Sequence, residues 1–323
     1  MFKRLLLSVA ALGWIGIGAA QAETYPSHQV TVIVPFAAGG PSDITARIVA
    51  DQLAKELGQP FVIENVNGAG GTIGTTRAAR AAPDGYTLVL GHMGTHAAAP
   101  ALYPNLAYDP VTDFAPIGLV VETPEVLVTR PDLPPNSLKE FVAYAKTNES
   151  KLNMAHSGVG SISYVGCLLL NSAIGIKPTL VPFTGSTPAT QALMAGQVDY
   201  FCDPILAQLP HVRSGALKGL AIAASARSPL LPDVPTSAEQ GVPQFSAAPF
   251  YALFAPKGTP APVVDALAAA LDQGLDDATA RTRLTDLGSA IPDKDHRGPA
   301  ALAALVKSEM ARLTPILKAA TQK

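Results

Sequence analysis

Two short turns rich in glycine and hydroxyl residues are the segments of this sequence best suited to hold a small anion. The first turn, residues 36–43, follows the β-branched run 30–34 and contains Gly39, Gly40 and Ser42. Its glycines let the backbone approach a ligand closely, and the helix predicted after it offers free N–H groups and the positive end of its dipole. These groups suit a carboxylate or a phosphate. A strand-to-helix turn that binds nothing has the same composition.

The second turn, Ser157 to Ser161, has the same design and lies between a predicted strand and a predicted helix without charge. If the two turns belong to different units, their helix N-termini can face each other across a cleft and hold an anion. Ser161 also suits the role of helix cap, which coexists with ligand binding. Asp203, directly after the run 198–202, either points into the same cleft or hydrogen-bonds its own turn.

A third glycine-rich loop, residues 68–74, matches no nucleotide-binding motif. Ile73 stands where the dinucleotide fingerprint has its third glycine, and no Gly-Lys-Ser/Thr sequence is present in the loop. The loop is therefore either an anion-tolerant segment, through Gly70 and Gly71, or a plain turn.

The sequence offers little for catalysis or for metal binding. No Gly-x-Ser-x-Gly nucleophile elbow is formed around Ser161, because Ser163 stands where the second glycine should be. His92 and His96 are four residues apart, but no glutamate follows His92 and no third ligand is evident. We therefore predict no catalytic residue, no metal site and no cofactor.

The composition excludes several classes of protein. The chain has 323 residues, of which 48% are hydrophobic and only 15% are charged, against about 25% charged in a typical globular protein. The net charge is −2 and no block of basic residues occurs, so nucleic acid is excluded as a partner. Cys167 and Cys202 either form one disulfide in an oxidising compartment or remain two buried thiols.

The N-terminal segment has the pattern of a cleavable signal peptide. Lys3 and Arg4 precede the apolar stretch 5–20, and Ala20-Gln21-Ala22 fits the cleavage pattern of small residues. We predict that residues 1–22 are removed and that the protein is exported. A second uncharged stretch, 152–176, contains polar residues and helix-breaking glycines, so we interpret it as covering a buried helix and not a membrane span.

Short strands and helices alternate along the chain, which favours an α/β fold with parallel strands. The rhythm is interrupted near 117–129, where two strands flank Thr123 and Pro124. We predict a first domain formed by residues 23–123 and 228–323, with a second domain, 124–227, inserted into it. The two chain crossings, near 122–124 and near 225–235, would act as a hinge.

Motifs along the chain resemble those of one family. They include Val34 to Gly40 with Asp43, the segment 64–71, Pro83 to Leu88, Tyr108 to Pro110, Leu231 to Thr236 and Ala255 to Pro260. In this order, from about Tyr25 to Lys318, they resemble the periplasmic substrate-binding proteins of tripartite tricarboxylate transporters, the Bug-type receptors. Two departures are Tyr164, where the family often has histidine, and Phe183-Thr184-Gly185-Ser186, where it often has Tyr-Lys-Gly-Ser.

The resemblance implies a two-domain type II periplasmic binding protein fold, with a hinge and a cleft between the domains. It implies a monomeric, non-catalytic periplasmic receptor that delivers a small carboxylate to membrane permease subunits. The departures point to a ligand whose distal group is less charged or more aromatic. From both lines of reasoning the expected ligand-binding residues are Phe36, Ala38, Gly39, Gly40, Ser42, Asp43, Gly70, Gly71, Thr95, Ser157, Gly158, Gly160, Ser161, Tyr164, Thr184, Gly185 and Asp203.

Two alternatives remain open at this point. The same receptor can serve as the ligand-sensing partner of a two-component sensor kinase, because sensing and transport would use the same closed state. A secreted hydrolase or lyase would instead use Asp43 or Asp203 together with a histidine. The sequence contains no evident pair of nucleophile and base for such an enzyme.

Overall fold

The computed structural model describes residues 25–321. The predicted signal peptide, residues 1–22, lies outside the described residues. The strands are β1 (Val30–Val34), β2 (Phe61–Asn65), β3 (Thr87–His92), β4 (Phe114–Glu122), β5 (Glu125–Thr129), β6 (Asn153–His156), β7 (Thr179–Pro182), β8 (Tyr200–Pro204), β9 (Lys218–Ile222) and β10 (Phe250–Pro256). The α-helices are α1 (Pro41–Leu57), α2 (Thr72–Ala79), α3 (Ala99–Leu102), α4 (Leu138–Asn148), α5 (Ile162–Ile174), α6 (Ser186–Met194), α7 (Ile205–Arg213), α8 (Ala261–Asp276), α9 (Ala278–Thr285) and α10 (Pro299–Thr321).

The strands form two five-stranded sheets. The first has the order β2-β1-β3-β10-β4 and the second the order β7-β6-β8-β5-β9. In the first sheet β1 is parallel to β2 and β3, as the β–α rhythm predicts, whereas β10 is antiparallel to β3 and β4. The direction of β10 follows from the chain path, because this strand enters the sheet on its return from the second unit, at the end where β3 and β4 finish.

The first crossing between the sheets lies where the sequence indicates. Strand β4 ends at Glu122 and β5 begins at Glu125, so residues 123–124 connect the two sheets. In the second sheet β5 is antiparallel to β8 and β9, and β6 is parallel to β7 and β8.

The return crossing lies further along the chain than the expected 225–235. The amide of Ile222 donates to Pro235, the amide of Ser237 donates back to Ile222, and Ala247 donates to Ala223. The stretch 229–243, which contains four prolines, therefore lies along the edge of β9 before the chain returns to the first sheet. The chain reaches the first sheet at Phe250.

Helix starts determine how the two predicted turns are presented. Helix α1 begins at Pro41 with Gly40 as its N-cap and no side-chain cap, so neither Ser42 nor Asp43 caps this helix, although both are residue types that favour helix N-caps. Proline at the first helical position needs no amide partner and fixes φ in the helical range. Helix α5 does begin as predicted, because the Ser161 hydroxyl accepts a hydrogen bond from the Tyr164 amide.

The uncharged stretch 152–176 is confirmed as covering a buried helix. Most side chains of α5 are buried, and they share a hydrophobic cluster with Leu313 and Leu317 of α10. Cys167 of α5 and Cys202 of β8 form a disulfide, with their Cα atoms 5.2 Å apart, which decides the alternative that the sequence leaves open. Among residues 25–321, no helix has the length and apolar character needed to cross a membrane.

Candidate ligand-binding cleft

A cavity of about 140 Å³ lies between the two sheets, at the carboxyl ends of β1, β3, β6, β7 and β8. Ligands of open α/β sheets bind at such strand ends. The cavity is lined by Phe36, Ala37, Ala38, Gly40, Pro41, Ser42, His92, Ser157, Ser161, Ile162, Ser163, Gly185, Ser186, Thr187, Pro188, Asp203, Pro204 and Tyr251. We call this cavity the cleft.

Four helices start at the wall of the cleft. Their N-caps are Gly40 of α1, Ser161 of α5, Gly185 of α6 and Pro204 of α7, and all four line the cavity. Each helix N-terminus carries unpaired amides and a partial positive charge of about half an elementary unit. The sequence predicts two such termini, and the structure brings four together.

The first turn is held from behind by Asp43. Its carboxylate accepts hydrogen bonds from the Gly39 amide at 2.9 Å, from Arg47 at 2.9 and 3.0 Å and from Asn65 at 3.0 Å. Burial acts to raise the pKa of Asp43, but these hydrogen bonds outweigh it and lower the pKa below its ordinary value. Asp43 lies outside the cleft lining, where it fixes the shape of the turn.

The second turn is held to the start of α5 by the hydroxyl of Ser163. Ser163 Oγ accepts from the Ser157 amide at 3.0 Å and lies 3.1 Å from Ser161 Oγ. Ser157 Oγ is buried and has no hydrogen-bond partner among the residues that the structure describes. This hydroxyl is therefore available to a ligand in the cleft.

His92 lines the cleft, although the sequence singled it out only as half of an improbable metal pair. Its Nδ1 accepts from the amides of Gly94 and Thr95 at 2.9 and 3.3 Å, so the ring proton lies on Nε2. Burial lowers the pKa of His92 to about 3, which keeps the ring neutral. Its position at the end of β3 is the signal that could have identified it.

Asp203 lies at the cleft wall and bonds to α6 and α7. Its Oδ2 accepts from the Ser186 hydroxyl and, at 2.8 Å, from Gln208 Nε2. Burial raises the pKa of Asp203 to about 7, against the smaller lowering effect of these two hydrogen bonds. Of the two possibilities left open by the sequence, the structure places this side chain toward the cleft.

The structure brings together about half of the expected ligand-binding residues. Those that line the cleft are Phe36, Ala38, Gly40, Ser42, Ser157, Ser161, Gly185 and Asp203. Those outside its lining are Gly39, Asp43, Gly70, Gly71, Thr95, Gly158, Gly160, Tyr164 and Thr184. Lining residues that sequence reasoning missed are Ala37, Pro41, His92, Ile162, Ser163, Ser186, Thr187, Pro188, Pro204 and Tyr251.

Among the expected residues outside the lining, Gly70 lies at a contact between the two units, with Val159, that we call the mouth of the cleft. Gly70 lies against Val159 so closely that a Cβ on Gly70 would overlap the Val159 carbonyl oxygen. Tyr164 packs edge-on against His156, with ring centroids 4.9 Å apart. Thr95 supports His92, since its hydroxyl accepts from the His92 amide at 3.1 Å.

Of the residues that the structure describes, no lysine or arginine lines the cleft. No group of three or more potential metal ligands occurs within residues 25–321. The positive potential of the cavity therefore comes from helix N-termini and amides, and its neutral donors are hydroxyls and the His92 ring. Such a site attracts an anion without an ion pair.

The model of the tripartite tricarboxylate transporter family receptor, TctC, matches residues 45–321. The chain belongs to this family. Its relative BugT of Bordetella pertussis is 41% identical over 239 residues, which cover 74% of this chain and 73% of BugT. The resemblance inferred from the sequence motifs is confirmed, and the family is one of receptors.

Solved structures of the receptor's relatives share its two-unit fold. MatC of Rhodopseudomonas palustris, with bound malate, is 51% identical, with a TM-score of 0.88, over 91% of this chain and all of MatC. The periplasmic binding protein BugD is 41% identical, with a TM-score of 0.87, over 92% of this chain and 98% of BugD. Rpa4515 of R. palustris, with adipate, is 32% identical, with a TM-score of 0.87, over 92% of this chain and 98% of Rpa4515.

Proposed function

We propose that this receptor binds a small mono- or dicarboxylate in the cleft and delivers it, in the periplasm, to the membrane permease of a tripartite tricarboxylate transporter. The observation that carries the proposal is the convergence of four helix N-termini on a cavity without lysine or arginine. The ligands of two relatives support it, because malate and adipate are both small carboxylates.

The electrostatics of the cleft favour an anion over a neutral solute. An anion at one helix N-terminus gains about 0.3–1 kcal/mol, and up to about 2 kcal/mol where the site is partly buried. Several termini acting on one carboxylate, together with the hydroxyls of Ser157 and Ser42, would supply affinity without an ion pair. Their directional amides would also select the flat, two-oxygen shape of a carboxylate.

The size of the cleft limits the ligand. A volume of about 140 Å³ is below the roughly 300–1,000 Å³ of pockets for drug-sized ligands. Phe36, Ile162, Pro188 and Tyr251 give one part of the wall an apolar and aromatic character. We infer a ligand with a short carbon chain, held by one carboxylate at the helix N-termini and by its body against these side chains.

Hinge closure would bring the two walls of the cleft together. We propose that the two domains are 25–123 with 250–321 and 125–247, since the stretch before Ala247 bonds to β9 and not to the first sheet. This division replaces the expected boundary at 228. The segments 123–124 and 247–250 would then be the hinge, and rotation about them would admit and release the ligand.

A non-catalytic role is supported by the partners of the polar groups in the cleft. The hydroxyls of Ser161, Ser163 and Ser186 bond to one another, to backbone or to Asp203. The Nδ1 atom of His92 is occupied by backbone amides. In these contacts the hydroxyls of Ser161 and Ser163 meet no general base, which a serine nucleophile requires, and only Ser186 donates to a carboxyl group, that of Asp203.

Titration calorimetry and thermal unfolding of the mature protein test the proposal. After removal of any co-purified solute by unfolding and refolding, malate and adipate are titrated, with neutral sugars of similar size as controls. We expect a carboxylate, and no sugar, to raise the melting temperature. A ligand present at 100 times its Kd adds about 2.7 kcal/mol to the free energy of unfolding. Binding of no carboxylate by the folded protein would refute the proposal.

A further inference from the structure

Three buried groups that can carry a negative charge lie at or behind the wall of the cleft. Asp203 lines the cavity, and Glu125 lies on the neighbouring strand β5, where Val126 is the register partner of Asp203. Tyr251, the third group, enters the wall from the first sheet. All three side chains are buried. Among residues 25–321, Asp203 is the one carboxyl group in the lining of the cleft.

Glu125 is enclosed without any compensating partner. Neither of its carboxyl oxygens has a hydrogen-bond partner, and the group packs so tightly against α5 that a Cβ on Gly166 would overlap it. A buried carboxylate without a hydrogen bond or a cation is strongly unfavourable, so such a group takes up a proton. Burial, and then the nearby Asp203, raise the pKa of Glu125 well above its usual value. Glu125 is therefore neutral.

Within the described part of the chain, residues 25–321, no cation faces Asp203 from the elements that surround it. Strand β5 contributes Glu125, β10 contributes Tyr251, and β3 and β6 contribute His92 and His156. Burial lowers the pKa of both histidines, so both rings are neutral. The groups that bond to Asp203 from α6 and α7 are the uncharged side chains of Ser186 and Gln208.

Helix α5 adds no cation to this environment. Its titratable side chain near the cleft is Tyr164, whose pKa burial raises, and Cys167 is held in the disulfide. The charged end of α7 is its last turn, where Arg213 donates to the Leu230 carbonyl and is exposed. Asp203 thus meets only neutral groups and the positive ends of α6 and α7.

An anionic ligand changes the balance at Asp203. The carboxylate of a ligand and the carboxylate of Asp203 would share one small cavity of low dielectric constant without a cation between them. Two carboxylates in one such site cannot both remain ionised, and one of them takes up a proton. Oδ2 of Asp203 already accepts two hydrogen bonds, which leaves Oδ1 as the atom to be protonated.

We propose that ligand binding by this receptor is coupled to the uptake of one proton by Asp203, whose protonated carboxyl group then donates a hydrogen bond to the carboxylate ligand. The inference rests on the proposed function, because it requires an anion in the cleft. The proton comes from solvent and returns to solvent when the ligand leaves. Affinity for a carboxylate then falls about tenfold per pH unit above the pKa of unliganded Asp203 and is constant below it.

The opposite possibility is that Asp203 stays ionised and pairs with an ammonium group, which would make the receptor specific for amino acids. Malate and aspartate separate the two, since they differ only in carrying a hydroxyl or an ammonium group. A protonated Asp203 favours malate, and an ionised one favours aspartate. The absence of any other carboxylate in the lining, and the neutral groups around Asp203, favour the protonated form.

Calorimetric titration of malate and of aspartate at about pH 6 and about pH 8 tests the coupling. At each pH the titration is made in phosphate and in Tris, whose ionisation enthalpies differ, so that the observed enthalpies give the number of protons taken up. We expect about one proton per malate at pH 8, fewer at pH 6, and roughly tenfold weaker binding at the higher pH. Aspartate should bind more weakly than malate.

Two variants assign the proton to its residue. Asp203→Asn keeps a donor and an acceptor in the position of the protonated acid, so we expect it to bind malate with the same affinity at both pH values and to take up no proton. Asp132→Asn removes one exposed carboxylate of the second unit, outside the cleft lining, and should retain the wild-type proton uptake. The measurement on the unaltered protein stands even if Asp203→Asn fails to fold.

Each outcome decides the inference. Malate binding without proton uptake in the unaltered protein overturns the coupling and leaves the proposed function intact. Aspartate could instead bind more tightly than malate, without proton uptake, and lose this affinity in Asp203→Asn. That outcome also overturns the coupling and shows that Asp203 pairs with the ammonium group of the ligand. If neither malate, aspartate nor adipate binds, the proposed function fails and the coupling fails with it.

Discussion

The hydroxyl of Tyr103 lies 2.6 Å from the carbonyl oxygen of Val159 and bridges the two units at the mouth of the cleft. The same hydroxyl lies 2.8 Å from the carbonyl of Ala69, in the glycine-rich loop of the first unit. Tyr103 directly follows α3, and Val159 lies in the turn before α5. The hydroxyl has one proton and both neighbours are acceptors, so it donates to one carbonyl at a time, and its donation to Val159 links the first unit to the second.

Replacement of Tyr103 by phenylalanine should weaken ligand binding and leave the fold intact. The variant loses a hydrogen bond worth about 0.5–1.5 kcal/mol that forms only when the units are in contact. We expect up to about tenfold weaker affinity, expressed mainly as faster dissociation. Calorimetry and stopped-flow dissociation with malate measure this effect. Tyr144→Phe on α4, far from the mouth, is the matched control, and equal affinities of the two variants would contradict the role of Tyr103.

Alanine at Gly70 should prevent full closure. Gly70 has φ of +61°, and a Cβ there would overlap the Val159 carbonyl oxygen across the mouth. Gly58→Ala is the matched control, because Gly58 has φ of +72° but open space around the added Cβ. Both variants carry similar backbone strain, of about 1 kcal/mol, so both should lose similar stability. Only Gly70→Ala should lose affinity, and an equal loss in both would show that strain alone is responsible.

Valine at Gly40 should fill the cleft without disturbing the turn. Gly40 has φ of −84°, and a Cβ there meets only the Ala37 carbonyl at an ordinary 3.5 Å. We therefore expect at least tenfold weaker malate binding with a small change in melting temperature. Gly298→Val is the matched control, since Gly298 also precedes the proline that begins a helix and has open space around it. Unchanged affinity in Gly40→Val would exclude the first turn from the site.

The parts of the site that the sequence predicts are those with a local cause. The turn 36–43 is predicted from a β-branched run, the proline Pro35 that ends it and the two glycines that precede a helix. All three features are close together in the chain. The cap of Ser161 and the burial of α5 have the same local origin. Such features depend on neighbours three or four residues away, and the sequence displays them directly.

The parts that the sequence does not predict depend on partners far along the chain. His92 and Tyr251 face each other in register on β3 and β10, although about 160 residues separate them. Asp43 is of a residue type that often binds ligands. Its carboxylate instead accepts hydrogen bonds from Asn65 and Arg47, outside the lining of the cleft. Glu125 has no feature in the sequence that indicates burial. Only its register opposite Pro204 and its contact with Gly166 reveal it.

The pH dependence of stability should report the buried carboxyl of Asp203. Its pKa is about 7 in the folded protein and about 3.9 when unfolded. Between these values the folded state holds a proton that the unfolded state has lost. The free energy of unfolding therefore falls as pH rises through this window, by up to about 1.4 kcal/mol per pH unit, and this contribution levels off above pH 7.

Comparison with Asp203→Asn isolates this contribution. Burial lowers the pKa of His92 and His96 to about 3, so these rings make the free energy of unfolding rise with pH below about 6.5. The pH dependence of the wild-type protein is therefore the sum of opposing contributions from the histidines and the carboxyl groups. The variant leaves both histidines unchanged and removes the Asp203 contribution, together with the smaller part of the raised Glu125 pKa that Asp203 causes. Urea unfolding at about pH 5 and about pH 8 should therefore show the variant gaining stability relative to wild type at the higher pH. Asp132→Asn should follow wild type at both, and parallel curves for all three proteins would mean that Asp203 is ionised throughout.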